Sequence, residues 1–180
     1  MPPRANQGLN VREGGSEDCA AVAEIYNFAI EEGRSSFDTV LKTAADIQSW
    51  LDGFNGREVI LVLERDRHIV GWGIIKRYSD RAAYRVCCET AVYLRPEERR
   101  KGYGTFLKKA MIARCRHLGY HHLVAKIAAV NVQSIEFNKK LGYEVVGRQR
   151  EIGFMNGHWH DVVIMQLILD DVMPGPHPPG

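Results

Sequence analysis

Cysteine is scarce in this sequence, and its few cysteines lack the spacings that metal or redox chemistry requires. The 180 residues contain four, at positions 19, 87, 88 and 115. No two of them have the C-x-x-C spacing of zinc and redox motifs, and they do not form a secreted disulfide framework. We therefore expect reduced, structural thiols, with Cys87 and Cys88 on opposite faces of a strand.

Long hydrophobic runs and a strong net charge are also missing. No apolar run approaches the roughly 20 residues that span a bilayer, and no apolar segment near the N-terminus has the form of a secretory signal. The formal net charge is only +2, which indicates neither a nucleic-acid nor a membrane partner. These absences predict a cytoplasmic protein.

Metal ligands are present but poorly grouped. His158, His160 and Asp161 lie close together on one predicted strand. A structural zinc site needs four ligands, and no fourth lies nearby in the sequence. We expect no metal.

One domain accounts for the hydrophobic pattern. A content of 45% hydrophobic residues suits a single full-sized core. We place it at residues 9–170, between a flexible tail at 1–8 and a disordered Pro/Gly-rich tail at 171–180. Periodicity predicts strands at 9–13, 59–63, 69–76, 84–94, 123–128, 143–147 and 159–169, and helices that start near 16, 43, 103 and 131. On the third helix, one set of cations is interpreted as a solvated face: Lys108, Lys109, Arg114 and Arg116.

The order of these elements predicts a mixed sheet. An antiparallel meander comes first, and the strand–helix–strand–helix succession over 86–146 requires one parallel pairing. The fold class is therefore α/β or α+β, with helices packed on the sheet as a sandwich.

A glycine-spaced loop joins the strand that ends at Leu94 to the third helix. Gly102 and Gly104 lack Cβ atoms, so backbone N–H groups there can approach a ligand closely. The start of the helix adds unpaired N–H groups and a positive dipole end. Three basic residues precede it: Arg99, Arg100 and Lys101. The pattern predicts a phosphate cradle, and a plain strand-to-helix connection is the alternative.

The sequence does not match the motifs of two better-known phosphate-binding loops. The dinucleotide fingerprint needs a third glycine where Leu107 stands, and the sequence has no Walker run of Gly-Lys-Ser/Thr. The R-x-x-G-x-G pattern over 99–104 instead resembles the pyrophosphate-binding motif of the GNAT superfamily of acetyl-CoA-dependent N-acetyltransferases.

A longer series of segments narrows this resemblance. In chain order the segments are 21–27 (AVAEIYN), 36–39 (SFDT), 83–85 (AYR), Glu89, 92–94 (VYL), Asn131 and 159–162 (WHDV). The series, over about residues 10–169, resembles phosphinothricin (methionine sulfoximine) N-acetyltransferases and their close relatives. The resemblance implies a mostly antiparallel mixed sheet that is flanked by helices on both faces and splayed at the acetyl-CoA strand. It also implies a homodimer, acetyl-CoA as donor, and the free amine of a small amino acid as acceptor.

The resemblance assigns a donor site residue by residue. Backbone groups of Val92, Tyr93 and Leu94 would pair with the pantetheine arm, which would satisfy N–H and C=O groups that a splayed parallel sheet leaves unpaired. Asn131, with Ser134 at the start of its helix, would bind the pantetheine region. The loop would hold the pyrophosphate through Arg99, Arg100, Lys101, Gly102, Tyr103, Gly104 and Thr105.

Glu89 is the candidate general base, because an ammonium ion cannot attack a thioester. It is a lone carboxylate in the strand that leads to the loop, three residues before Val92. Partial desolvation would raise its pKa, and it would take the proton directly or through water. Strand N–H groups near Val92 would stabilise the charge that develops on the thioester oxygen. The alternative for Glu89 is a surface carboxylate on a strand edge.

One position departs from the family pattern. Relatives usually carry His, and many other GNAT enzymes Tyr, where this chain has Asn138. Asn can donate a hydrogen bond to the departing thiolate but has no titratable proton. The thiolate would then be protonated by water or by a nearby Tyr, and the departure weakens the case for phosphinothricin itself as substrate.

The acceptor pocket is expected between the Phe37 loop and the segment that begins at Arg81. Arg81 or Arg85 would pair with a substrate carboxylate, phosphinate or sulfoximine oxygen; both are alternatively ordinary turn residues. His160 would line the pocket or a subunit contact, or act structurally. The full candidate set is Phe37, Arg81, Ala82, Ala83, Tyr84, Arg85 and His160.

Three functions remain open from the sequence. The leading one is a small-molecule amino-acid N-acetyltransferase. The second is an acetyltransferase for a protein N-terminus or lysine, which would need an open acidic groove. The third is a non-catalytic acyl-CoA sensor, which fits the missing acid at Asn138.

Overall fold

A seven-stranded mixed sheet with two helices on each face forms the frame of the protein in a computed structural model that describes residues 8–173. The strands are β1 (Leu9–Glu13), β2 (Val59–Arg65), β3 (His68–Arg77), β4 (Cys87–Leu94), β5 (His122–Ala128), β6 (Glu144–Met155) and β7 (His158–Ile168). The helices are α1 (Cys19–Glu32), α2 (Ala44–Asp52), α3 (Tyr103–His117) and α4 (Val132–Lys140). Of the tails predicted at 1–8 and 171–180, residues 1–7 and 174–180 lie outside the described residues.

The strand order is β1-β2-β3-β4-β5-β7-β6. Strands β4 and β5 are parallel, and every other neighbouring pair is antiparallel. The predicted fold class, a mostly antiparallel mixed sheet covered on both faces, is confirmed. Within residues 8–173, no helix is long and apolar enough to cross a membrane.

Two apolar layers hold the helices against the sheet. Helices α1 and α2 cover a layer around Ile47, Val62 and Trp72, whereas α3 covers a layer that includes Leu107 and Met111. Burying side chains of this size stabilises the fold by about 1.5–3 kcal/mol each. Strand β3 approaches α3 at Gly73, where an added Cβ would collide with the Met111 sulfur.

Local signals explain where several elements begin and end. Thr43 caps α2 in a reciprocal capping box with Asp46. Asp66 and Arg67 turn β2 into β3 with φ values of 51° and 67°, the left-handed pair that a two-residue hairpin turn requires.

Two predicted strand boundaries were wrong. The strand expected from residue 84 begins at Cys87, because Ala82–Val86 coils into a 3₁₀ helix in which Tyr84 N–H donates to the Arg81 carbonyl. The strand expected at 143–147 continues to Met155, where it forms a long hairpin with β7. Its turn is Asn156-Gly157, both at positive φ, an Asn-Gly hairpin signal that the sequence carries.

The parallel pair β4–β5 separates soon after it forms. Its register joins Cys87, Cys88 and Glu89 to the three residues that start β5, and it stops there. Beyond Glu89, β4 stays paired with β3 through Leu94, while β5 stays paired with β7. One edge of 90–94 therefore has no strand partner among the described residues, and the predicted splay is present.

Candidate active site

The separation of β4 from β5 opens a cleft of about 670 Å³, here called the inter-strand cleft. Its walls come from the unpaired edge of β4, the glycine loop, α3 and α4. The lining includes Thr90, Val92, Tyr93, Leu94, Arg99, Arg100, Gly102, Gly104, Thr105, Lys108, Asn131, Ser134 and Asn138. Most of the predicted donor-site residues therefore share one cavity.

The glycine loop gives this cleft a cationic end. Gly102, with a φ of 84°, is the N-cap of α3, and no side chain caps the helix there. The first N–H groups of α3 are therefore left for an anion, at the positive end of the helix dipole. Arg100 also takes a left-handed conformation, with a φ of 64°.

Two loop residues that the resemblance assigned to pyrophosphate do not line the cleft. Lys101 Nζ lies 3.0 Å from the buried carboxylate of Glu98, and the Tyr103 hydroxyl accepts a hydrogen bond from Arg65. Arg99 lines the cleft and also pairs with Glu32. Charge at this end of the cleft therefore comes from Arg99, Arg100 and the backbone.

Asn131 ties the start of α4 to the loop after α1. Its Oδ1 accepts from Ser134 N–H at 3.1 Å, and its Nδ2 donates to Ser35 Oγ at 3.3 Å. All three residues line the cleft. The side chain predicted to bind pantetheine thus also fixes one wall of the cavity.

A second cavity, here called the Glu89 pocket, lies on the α1 face of the sheet and has a volume of about 990 Å³. The side chain of Glu89 is 19% exposed there, with Lys126 Nζ at 2.8 Å and Lys76 Nζ at 3.6 Å. The lone carboxylate expected from the sequence is therefore an ion-paired one, held between lysines of the two neighbouring strands.

Tyrosines form the back of the Glu89 pocket. Tyr26 donates to Asp38 at 2.7 Å and contacts Ser36 Oγ at 2.9 Å. Burial raises the pKa of Tyr26 to about 12, so its phenol stays neutral. Tyr93, whose pKa burial also raises, packs edge-on against Tyr26 at 4.8 Å. Neither Tyr26 nor Asp38 was among the predicted site residues, although both lie in the segments that carried the resemblance.

The predicted acceptor residues divide into two groups. Phe37 and Tyr84 line the Glu89 pocket. The lining does not include Arg81, Ala82, Ala83, Arg85 or His160, and the lysines that do line it are Lys76 and Lys126. The substrate contact of Arg81 or Arg85 stays a prediction. The rings of His160 and Phe37 pack edge to face, with their centres 5.8 Å apart.

The interpretation of α3 was wrong at Lys108. Instead of facing solvent, this side chain is buried at 2% exposure, and its Nζ donates to Thr90 Oγ1 at 2.8 Å. The Nζ also lies 4.9 Å from the ring centre of Tyr143. Burial lowers the pKa of Lys108 to about 8.

Asn138 is buried in the same cleft at 4% exposure. Its Nδ2 donates to the Ser134 carbonyl at 2.8 Å. Its Oδ1 is buried and has no hydrogen-bond partner among the described residues. The Nδ2 group is therefore committed to the backbone, and the unpartnered atom of this amide is the acceptor Oδ1.

The two cavities meet at the end of the β4–β5 pairing. Ser35, Tyr93 and Lys126 line both. Because side chains alternate along a strand, Glu89 faces one cavity and its neighbour Thr90 faces the other. Two molecules, one bound in each cavity, would therefore come into contact through the gap between β4 and β5.

The sequence and the fold both match known acetyltransferases. Residues 12–164 match the acetyltransferase (GNAT) domain family. The chain is 29% identical over 169 residues to the L-methionine sulfoximine/L-methionine sulfone acetyltransferase of Pseudomonas aeruginosa, covering 93% of this chain and 98% of the relative.

Solved structures agree with this match. The fold is similar, with a TM-score of 0.86 and 26% identity, to a phosphinothricin acetyltransferase from Sinorhizobium meliloti in complex with acetyl-CoA, covering 93% of this chain and 94% of that one. A ribosomal-protein-alanine N-acetyltransferase from Brucella melitensis gives a TM-score of 0.85 and 29% identity, covering 89% and 99%. The resemblance seen in the glycine loop is confirmed, and the chain belongs to the GNAT acetyltransferase family.

Proposed function

We propose that this protein transfers the acetyl group of acetyl-CoA to the free amine of a small amino acid or analogue, of the phosphinothricin or methionine sulfoximine type. The observation that carries the proposal is the meeting of two cavities at Glu89, one with an anion-binding loop and one with a carboxylate. Family membership and the relatives named above support the same reaction.

The donor fits the inter-strand cleft through complementary groups. The unpaired edge of 90–94 matches the amides of a pantetheine arm, which would add to β4 as a short strand. The uncapped start of α3, with Arg99 and Arg100, matches a pyrophosphate. Backbone N–H groups near Val92 would stabilise the oxygen of the thioester as charge develops.

The acceptor fits the Glu89 pocket through charge. The Glu89 carboxylate attracts an ammonium group and accepts its proton, directly or through water, so that the amine can attack. Lys76 and Lys126 line the same pocket and attract the carboxylate, phosphinate or sulfoximine oxygen of the same molecule. A substrate that carries both charges on a small frame matches this arrangement.

An acetyltransferase for a protein N-terminus is the second candidate. Its support is the similarity to the Brucella melitensis ribosomal-protein-alanine enzyme. The lysines of the Glu89 pocket favour an acceptor anion close to the amine, which a free amino acid has and a peptide N-terminus lacks.

Release of CoA thiol tests the proposed function. We expect the protein to release thiol from acetyl-CoA when L-methionine sulfoximine, L-methionine sulfone or phosphinothricin is added, and far less without an acceptor. An alanine-first peptide measures the second candidate in the same assay. Thiol release with the peptide alone would replace the proposed acceptor class, and CoA binding without turnover on any acceptor would favour the acyl-CoA sensor.

We also propose a homodimer built partly on the β6–β7 hairpin. Ile152, Phe154 and Trp159 are 57%, 61% and 64% exposed, and the Phe154 and Trp159 rings lie 4.9 Å apart. Apolar surface of this kind on one hairpin is typical of an interface. Light scattering at micromolar concentration should give the mass of two chains, and a single-chain mass would contradict the proposal. The cytoplasmic location stays a prediction.

A further inference from the structure

A buried cation, Lys108, stands in the wall of the inter-strand cleft, and no carboxylate within residues 8–173 forms an ion pair with it. The Nζ of Lys108 contacts Thr90 Oγ1 on β4 and the Tyr143 ring before β6. Burying an ammonium is costly unless an anion or several acceptors compensate it. A buried ammonium that lowers the stability of the fold and lies in a cleft is a candidate functional group.

The position of Lys108 suits the leaving group rather than the amine. Lys108, Thr90 and Asn138 line the inter-strand cleft, whereas Glu89 lines the opposite pocket. An amine that attacks from the Glu89 side would expel the sulfur toward the α3 side. The acid needed there cannot be Asn138, whose amide does not titrate.

We propose that Lys108 is the acid that protonates the departing CoA thiolate. This inference rests on the proposed function. As the bond between the acetyl carbon and sulfur breaks, its electron pair goes to sulfur. The Nζ–H bond of Lys108 then breaks, and its proton goes to the sulfur, which yields the CoA thiol and a neutral amine. Solvent returns a proton to Lys108, and the proton that Glu89 removed from the acceptor passes to solvent.

The surroundings of Lys108 favour an acid of moderate strength. Cys88 on β4 and Cys115 on α3 influence its charge, and burial raises the pKa of Cys88 and of Tyr143, so both groups stay neutral. Burial lowers the pKa of Lys108 to about 8. An acid near the working pH transfers a proton efficiently. Lys126 also lines the cleft, but it is 44% exposed and its Nζ is paired with Glu89.

Lys108→Met tests the proposal, with Lys109→Met as a matched control on the exposed face of the same helix. With acetyl-CoA and L-methionine sulfone, Lys108→Met should lower kcat by roughly 10²-fold or more. The KM for acetyl-CoA and the thermal shift caused by CoA should change little. The falling, alkaline limb of the pH–rate profile should disappear, because the acid that it reports is gone. Lys109→Met should match the wild type in every respect.

A second variant separates catalysis from structure. Thr90→Val removes the acceptor that stabilises the ammonium, which lowers the pKa of Lys108 further, so the pH optimum should move down. A kcat for Lys108→Met within a few-fold of the wild type, or an alkaline limb that persists in it, would overturn the proposal. An unmoved optimum in Thr90→Val would also overturn it and would serve as the test if Lys108→Met failed to fold. A wild type with no turnover would overturn the proposed function itself, which is a different result.

Discussion

Glu89→Gln is expected to lower turnover by roughly 10²–10⁴-fold while acetyl-CoA affinity changes little. Glutamine keeps the shape of the side chain and can still form hydrogen bonds, but it cannot take the proton of the attacking amine. Donor binding should survive because Glu89 lines the acceptor pocket and not the inter-strand cleft. A loss confined to kcat would identify Glu89 as a group that acts in the transition state.

The fold should tolerate this change. Glu89 pairs with Lys76 and Lys126, whose side chains are 46% and 44% exposed, and ion pairs to exposed lysines contribute about 0–1 kcal/mol. The melting temperature of Glu89→Gln should therefore stay near that of the wild type.

Steady-state kinetics with saturating acetyl-CoA measure the effect. Glu136→Gln is the matched control, since Glu136 is an exposed acid that pairs with Lys139 on α4 and lines neither cavity. In the pH–rate profile, Glu89→Gln should keep the titration of the attacking amine. Turnover of Glu89→Gln within a few-fold of the wild type at neutral pH would mean that water alone deprotonates the amine.

Hydrophobic periodicity was sufficient to predict most of the fold. The continuous apolar run at Val59–Leu63 became a fully buried part of β2, and Thr43 began α2 as its capping pattern predicted. These elements were predictable because their signals are local. The Asn156-Gly157 turn carries an equally local signal, the residue pair that favours a two-residue hairpin turn.

The candidate site was less predictable because tertiary contacts decide it. Lys108 lies between Leu107 and Met111 on a helix. No pattern in the neighbouring sequence predicts that this lysine is buried against Thr90. The lysines beside Glu89 come from β3 and β5, which are distant in sequence and meet it only through strand register. The splay between β4 and β5 was expected from the family resemblance, and no residue pattern predicts where a parallel pair separates.

Gly104→Val is expected to abolish most of the stabilisation that CoA gives to the wild type. A ligand that binds only the native state at 100 times its Kd stabilises it by about 2.7 kcal/mol. For a chain of this size, that corresponds to a rise in melting temperature of about 5–10 °C. Gly104 lines the inter-strand cleft in the first turn of α3. A branched side chain there would occupy the space in which a pyrophosphate approaches the N–H groups.

The variant should fold without CoA. A Cβ at Gly104 would meet Leu94 Cδ1 at 3.5 Å and the Phe137 ring at 3.6 Å, both ordinary contacts. Valine is also a better helix former than glycine. Ala113→Val provides the control, because it introduces the same side chain on the exposed face of the same helix.

The melting temperatures of these three proteins, with and without saturating CoA, test most directly whether the inter-strand cleft is the acetyl-CoA site. The wild type and Ala113→Val should both rise by about 5–10 °C, whereas Gly104→Val should rise by a small fraction of that. Equal stabilisation of Gly104→Val and the wild type by CoA would contradict the assignment, since it would place the binding site away from the glycine loop.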